Sequence, residues 1–364
     1  MPVNAAYATH FNSAPFTLGT TEPNAANTGY GQLGYTPGTL TDDNTATSPK
    51  YIYLISADNT TVAGKRIHGR VQITGNNCTL QGCEIVSVAG ISYDTTSNYA
   101  LVSSSGTGNV IQYNHLTQYD PSLSSDNSVY WMCGVIITGG SCTVYRNDIH
   151  DINDATYITA GTHTIAGNYI HDMGFRNDDS DQSGSTPPSW SHNDGTQIMG
   201  GTNHVIVGNS YNMNWSRLTG MNNTVGNPDP YAEQAWPNCH SILMQNANNA
   251  VTGVQITRNW FRYGTVGPFF TFKSGDVTPG GAHTLTGNRV TPDQGVQFSQ
   301  YRQVVVDPTT AWGTITVDNT NVYSHDPDTP AAVQGLPLNG NPSGNPFTVS
   351  TVESWMYNSS AHTP

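Results

Sequence analysis

One short run, His192-Asn193-Asp194-Gly195-Thr196-Gln197-Ile198, holds an imidazole, a carboxylate and an amide side by side, and two other stretches share its ending on an apolar residue. Asp154 leads DATYI, and His240 lies in NCHSIL. Registered by the following Ile, Asp154 falls beneath Asp194; by the same register, with gaps in the alignment, His240 falls above it. Strands stacked in that register bring two carboxylates and an imidazole about 5 Å apart, close enough to shift one another's pKa and to divide acid and base roles. Asp194, Asp154, His192 and His240 are therefore the candidate catalytic groups.

Alternation along a strand sets a condition on this chemistry. If Thr196 and Ile198 face a core, strict two-residue parity sends Asp194 inward as well, where an ionised, unpaired carboxylate cannot stay. Gly195 permits a bend at the start of the strand, and the expectation is that this bend turns Asp194 outward while Gln197 projects into a groove. The competing reading of Asp194 is a corner-capping Asx turn, and Asp154 has the same alternative as a corner acid.

The element that can stack such runs is visible as a repeat. A short β-rich run, a Gly or Asn corner, a second run and then an Asn with a bulky residue recur in GNVIQYNHL, CTVYRNDIHD, HTIAGNYIHD, HVIVGNSYNM, VQITRNWFRY and HTLTGNRV, around Asn114, Asn147, Asn168, Asn209, Asn259 and Asn288. The shortest interval, from Asn147 to Asn168, is 21 residues, enough for one coil of three short strands at roughly 3.3 Å per residue. Longer intervals must leave the coil as side loops, because each coil has to return to register above its predecessor.

The two largest excesses are consecutive, before Asn209 and before Asn259, and two adjacent long loops can wall a groove on a flat solenoid face. Trp190, Trp215 and Trp236 flank them and offer faces for sugar rings. Arg176, Arg217, Lys273 and Gln197 complete the expected substrate-binding set. Asn177-Asp178-Asp179-Ser180-Asp181 presents hard oxygens to Ca²⁺ but lacks the Gly and terminal Glu of an EF-hand, so it reads first as a solvated acidic loop. His150 and His171 precede Asp151 and Asp172 in matched IHD corners and read as a structural stack rather than a ligand pair. No cofactor and no metal are expected.

The repeat resembles the right-handed parallel β-helix of pectate lyases, polygalacturonases and phage tailspikes over roughly residues 61–290. That resemblance implies the handedness and an Asn ladder at the corners. HNDGTQI is similar to the polygalacturonase strand in which an Asp before Gly is catalytic, and FTFKSG to the strand whose Lys binds sugar, which implies Asp194 as an acid and Lys273 as a substrate contact. The family's paired Asp on the next coil is Pro237-Asn238 here.

Composition agrees with an all-β chain. Charged residues make up 10% of the 364, against roughly 25% in ordinary globular proteins. Mean hydropathy is -0.41 and there are 37 Gly, which points to short strands and tight turns rather than to helices. The net charge of -13, with 12 Lys and Arg, excludes the phosphate neutralisation that nucleic-acid binding needs, and it favours a neutral glycan over a uronate polymer. No run approaches the roughly 20 apolar residues of a membrane span, and the first residues lack the pattern of a secretory signal. Five cysteines without metal spacing read as small core residues; Cys78 and Cys142 occupy matching places in the repeat.

The sequence reading is thus an all-β, right-handed parallel β-helix solenoid with long side loops and appended terminal segments. Its expected divisions are an N-terminal capping or docking arm at 1–50, the β-helix at 51–325 and a C-terminal loop with a closing segment at 326–364. The expected function is a phage-type virion tail protein, homotrimeric and associated with other tail proteins, that binds a cell-envelope polysaccharide and hydrolyses it if it is an enzyme. The alternative is a free, secreted glycoside hydrolase or lyase.

Overall fold

The computed structural model describes residues 16–43, 52–87, 100–117, 133–174, 193–216, 239–245, 250–262, 266–270, 281–291, 305–306 and 314–324. Their strands form three long sheets, of ten, nine and nine strands, and every strand pair in them is parallel. Successive strands in the chain visit the second, third and first sheet in turn, then begin again one layer higher. The chain is a parallel β-helix. The Tyr30–Leu33 turn of 3-10 helix is the one helical element among the described residues, and no helix there is long and apolar enough to cross a membrane.

Aliphatic side chains recur at matching register and fill the interior as vertical files. In the third sheet Leu80, Ile111, Val144, Ile165, Ile206, Ile256 and Leu285 stack in order, all buried in one apolar cluster. Ile67, Ile85, Leu116, Ile149, Ile170, Tyr211 and Phe261 do the same in the first sheet. Each such aliphatic side chain, fully buried, contributes about 1.5–3 kcal/mol.

At the corner after the third sheet, the six Asn of the repeat form a continuous amide ladder. The backbone N–H of Asn114, Asn147, Asn168, Asn209 and Asn259 each donates to the Oδ1 of the next Asn at 2.9–3.0 Å, across sequence gaps of 33, 21, 41, 50 and 29 residues. Asn288 continues the ladder to Asn321, which the repeat pattern did not include. Each Nδ2 also donates to a carbonyl of the coil below, as Asn168 does to Val144. Backbone polar groups at a buried corner need such partners, and Asn supplies a donor and an acceptor at once.

A second ladder runs along the start of the third sheet. The Nδ1 of His163 accepts from the N–H of Cys142, and the Nδ1 of His204 from the N–H of His163. The Nε2–H of His204 donates to Gly200 O at 3.0 Å and that of His163 to Ala160 O, so both rings are neutral. Burial pushes His204 and His283 down to about 4 and lowers His163. Cys78 and Cys142 lie in this same file, joined through Asn109, and the four described cysteines are buried free thiols.

Residues 16–43 lie lengthwise on the outside of the coils. The Arg146 guanidinium stacks on Phe16, at 4.2 Å from the ring centroid, and donates to Asn27 O; Glu22 pairs with Arg262 at 2.9 Å. The segment ends as the strand Thr41–Asp43, which pairs with Lys65–His68 and covers that edge of the first sheet. Residues 1–15 and 325–364 lie outside the described residues.

Candidate functional site

The strands of the second sheet position the candidate groups. Asn193–Ile198 pairs with Cys239–Met244 so that Asp194 lies opposite His240, and Thr156 and Thr196 are partners, which places Asp154 at the level of Asp194 on the coil below. Asp154, Asp194 and His240 therefore share one file, with Cys133 beneath them. The residue beside Asp194 on the next coil is His240; Pro237-Asn238, which stand in place of the paired Asp that the resemblance to polygalacturonases implies, lie outside the described residues.

A local break in alternation decides which way this file faces. A Cβ on Gly195 would lie 2.4 Å from the ring of the core residue Tyr211 and 2.5 Å from Ser241 O. A Cβ on Gly134 would meet the core side chains Ile149 and Ile152. Gly134 and Val135, and likewise Gly195 and Thr196, are thus consecutive inward positions. The ladder from Asn193–Ile198 to its neighbour skips Gly195 accordingly. Alternation from the inward Gly then turns Cys133, Asp154, Asp194 and His240 to the outer face. Cys133 accordingly packs with Ile136 and Tyr157, outside the main core.

The bend at Gly195 thus orients Asp194 as expected, but the expectation of an open groove around it is corrected: Asp194 is 0% exposed, whereas Asp154 and His240 each retain 8%. Its neighbours in the file bond it from both sides. Asp154 Oδ1 accepts from the N–H of Asp194 at 2.8 Å, and a 2.9 Å hydrogen bond joins Asp194 Oδ1 to His240 Nδ1. On the inner side a hydroxyl chain, Thr156 to Thr196 to Tyr211, anchors the strand at 2.8 and 2.9 Å.

Burial sets the protonation of the file. It raises Asp194 well above the ordinary carboxylate range and drives His240 down to about 3. An acid held protonated beside an imidazole held neutral is a proton donor in contact with a proton acceptor. Burial, reinforced by the neighbouring Asp154, also raises the Cys133 thiol, which stays neutral and is no nucleophile.

Gln197 projects outward two positions beyond Gly195 and is half-buried, with Tyr157 and Leu243 as its register partners. The backbone of Trp215 belongs to the strand Ser210–Ser216 of the first sheet, opposite Met173; its side chain lies outside the described residues. His192, Trp190, Trp236, Arg176, Arg217 and Lys273, and the 177–181 acidic run, also lie outside them. Cys133 and Tyr157 are additions to the site. Counting back from Val135, as Asp154 is counted back from Thr156, locates Cys133 in the sequence.

No family model matches the chain, and no curated protein does. Among the solved structures similar to it are two that follow. One is the catalytic unit of a thermostable GH87 alpha-1,3-glucanase from Streptomyces thermodiastaticus strain HF3-3, at 12% identity and a TM-score of 0.34, covering 80% of this chain and 54% of that one. The other is a PL6 alginate lyase in complex with a trisaccharide, at 12% identity and a TM-score of 0.34, covering 88% of this chain and 73% of that one. The chain spans about half the length of the glucanase unit, and neither likeness assigns a residue or a reaction to it.

Proposed function

We propose that this protein binds a neutral polysaccharide along the outer face of its second sheet and hydrolyses it with the Asp154, Asp194 and His240 file. The observation that carries the reading is the Asp194 and His240 pair, an acid kept protonated against an imidazole kept neutral on an outward-facing file.

In this reading the ends of the file, which retain exposure, meet the substrate, and Asp194 positions and recharges His240. His240 gives its Nε2 proton to the leaving glycosidic oxygen while its Nδ1 takes the proton of Asp194. Asp154 takes a proton from water, whose oxygen attacks the anomeric carbon as the glycosidic bond breaks. Asp154 and His240 are two coils apart, roughly 9–10 Å at about 4.8 Å per coil, near the upper end of the roughly 6.5–9.5 Å that accommodates a water in inverting hydrolysis. Inversion at the anomeric carbon is the expected outcome.

The test is incubation with a panel of neutral and uronate-containing polysaccharides. New reducing ends without the ultraviolet absorbance of an unsaturated uronate support hydrolysis, and that absorbance would instead establish elimination. The Asp194→Asn variant is expected to fold and lose turnover; a corner-capping role predicts the reverse, a lowered Tm with activity kept. The complete shielding of Asp194 favours one second reading, binding without cleavage, the role of an adhesin on a virion tail, which bound glycan without either product would support. Neither binding nor product across the panel overturns both.

A further inference from the structure

A second cluster of titratable groups lies on the outer face of the first sheet, on a different side of the solenoid from the Asp194 file. Ile149 and Ile170 face the core, so His150 and His171, which are register partners, stand outward on adjacent coils. Their rings stack at 4.9 Å, and His115 adjoins from the coil below, 4.7 Å from His150. Asp148 lies one file over, with its Oδ1 2.8 Å from His171 Nε2.

The outer ring nitrogens are spoken for in a regular way. His150 Nδ1 bonds Asp151 Oδ2, and His171 Nδ1 bonds Asp172 Oδ2 at 2.6 Å. Both Asp residues have positive φ, 53° and 45°, which folds each carboxylate back on the preceding ring. The repeated Ile-His-Asp corner thus orients two imidazoles by a carboxylate on Nδ1, the arrangement that fixes metal-binding histidines, and leaves each Nε2 as the remaining ligand atom. Asp148, His150 and His171 each offer a ligand atom, and these atoms lie within 4.8 Å of one another.

We propose that Asp148, His150 and His171 bind a divalent transition-metal ion of the zinc class, which staples adjacent coils of the β-helix. The donor chemistry, two imidazoles and one carboxylate, selects zinc-class ions over Ca²⁺ or Mg²⁺. Bonds of about 2.0–2.2 Å place tetrahedral ligand atoms roughly 3.3–3.5 Å apart, a separation reached from the present one by small side-chain rotations. The Nε2 of His115 adjoins that of His150, so His115 is the nearest group for a fourth position. The side chains of His150, His171 and Asp148 keep 18%, 13% and 13% exposure, which leaves the ion a way in. Three carboxylates, Asp148, Asp151 and Asp172, surround the site and favour a dication.

The probe is Co²⁺, then Zn²⁺, added to the full chain after chelator treatment. One Co²⁺ per chain is expected, with the intense visible bands of low coordination number, displaced by Zn²⁺, and Zn²⁺ alone is expected to raise the Tm by linkage. The His150→Gln/His171→Gln double variant is expected to lose the bands. Asp151→Asn keeps all three ligands and is expected to weaken binding about 10- to 100-fold, so it tests the site even if the double variant folds poorly. Absence of Co²⁺ bands and of a Zn²⁺-dependent Tm shift in the wild type, or bands that survive the double variant, would overturn the proposal.

Discussion

Replacing Asp194 with Asn is expected to stabilise the protein, by an amount that grows with pH. In the unfolded chain the Asp194 carboxyl loses its proton near 3.9. In the folded chain burial holds the proton to a much higher pH, and the neighbouring His240, driven down to about 3, carries no charge to draw it off. Between those two points the folded state binds one more proton than the unfolded state, so unfolding becomes easier by about 1.4 kcal/mol per pH unit. The stabilisation is fully present below the unfolded pKa and is lost as pH rises towards the folded one. Asn has the same shape and no proton to lose, which removes this slope; the lowered pKa of His240 is common to both proteins and cancels. Between the unfolded and the folded pKa the variant should therefore gain about 1.4 kcal/mol on the wild type for each pH unit. Urea unfolding of both proteins, followed by circular dichroism across that range, measures the difference directly. A difference independent of pH, or one that moves against the variant as pH rises, would mean that Asp194 is ionised against an imidazolium, and the protonation argument for the file would be refuted.

Asn168→Ala is expected to cost about 3–5 kcal/mol, because it leaves the N–H of Asn147 and the carbonyl of Val144 buried without partners, at about 1–3 kcal/mol each, and removes a buried amide's packing. Asn76→Ala, at an exposed corner, should cost under about 1 kcal/mol in the same denaturation assay. Acidification should destabilise the fold from about pH 6.5 towards about pH 4: His204, His240 and His283 stay largely neutral there when folded and take up protons when unfolded, the lowered His163 acts in the same direction, and Asp194 pulls the other way. A Tm that rises over that interval as pH falls would contradict the neutral-histidine ladder.

The repeat was legible because the corner Asn is buried on every coil and meets two demands of the coil below at once, a donor to its carbonyl and an acceptor for its N–H. Asn321 escaped notice since VDNTNVY offers two Asn and lacks the preceding corner pattern. Register by the following Ile located Asp154 beneath Asp194 because parallel coils keep their neighbours in step; His240 joins the same file through Met244, the partner of Ile198, and not through the Ile242 of NCHSIL. The complete burial of Asp194 was not legible, since exposure on the outer face depends on everything that lies over the sheet and not on the strand itself. The histidine ladder was in view, at the head of HTI, HVI and HTL, but a buried neutral His and an exposed titrating one look alike in sequence. The path of the N-terminal segment depends on distant pairs such as Glu22 with Arg262 and Arg146 with Asn27, for which a repeat-free stretch gives no signal.

The two outward files use the same residue types to opposite ends, and the contrast shows what the solenoid contributes to chemistry. Burial works to lower His171, but hydrogen bonds to Asp148 and Asp172 overcome it and carry the imidazole up to about 9. His240 also touches a carboxyl, yet burial takes it down to about 3 because its neighbour Asp194 is itself pushed towards the neutral acid. A second carboxylate and partial exposure make the first case an ion-paired cluster; full shielding makes the second a neutral donor and acceptor pair. Each coil adds one side chain to each file at a fixed spacing, so the protonation of a file follows from its composition and from what covers it. A bend as small as the one at Gly195 determines which side chains join the file, for a Cβ there would collide with the ring of Tyr211. That steric demand ties the orientation of Asp194 to the packing of the core beneath it.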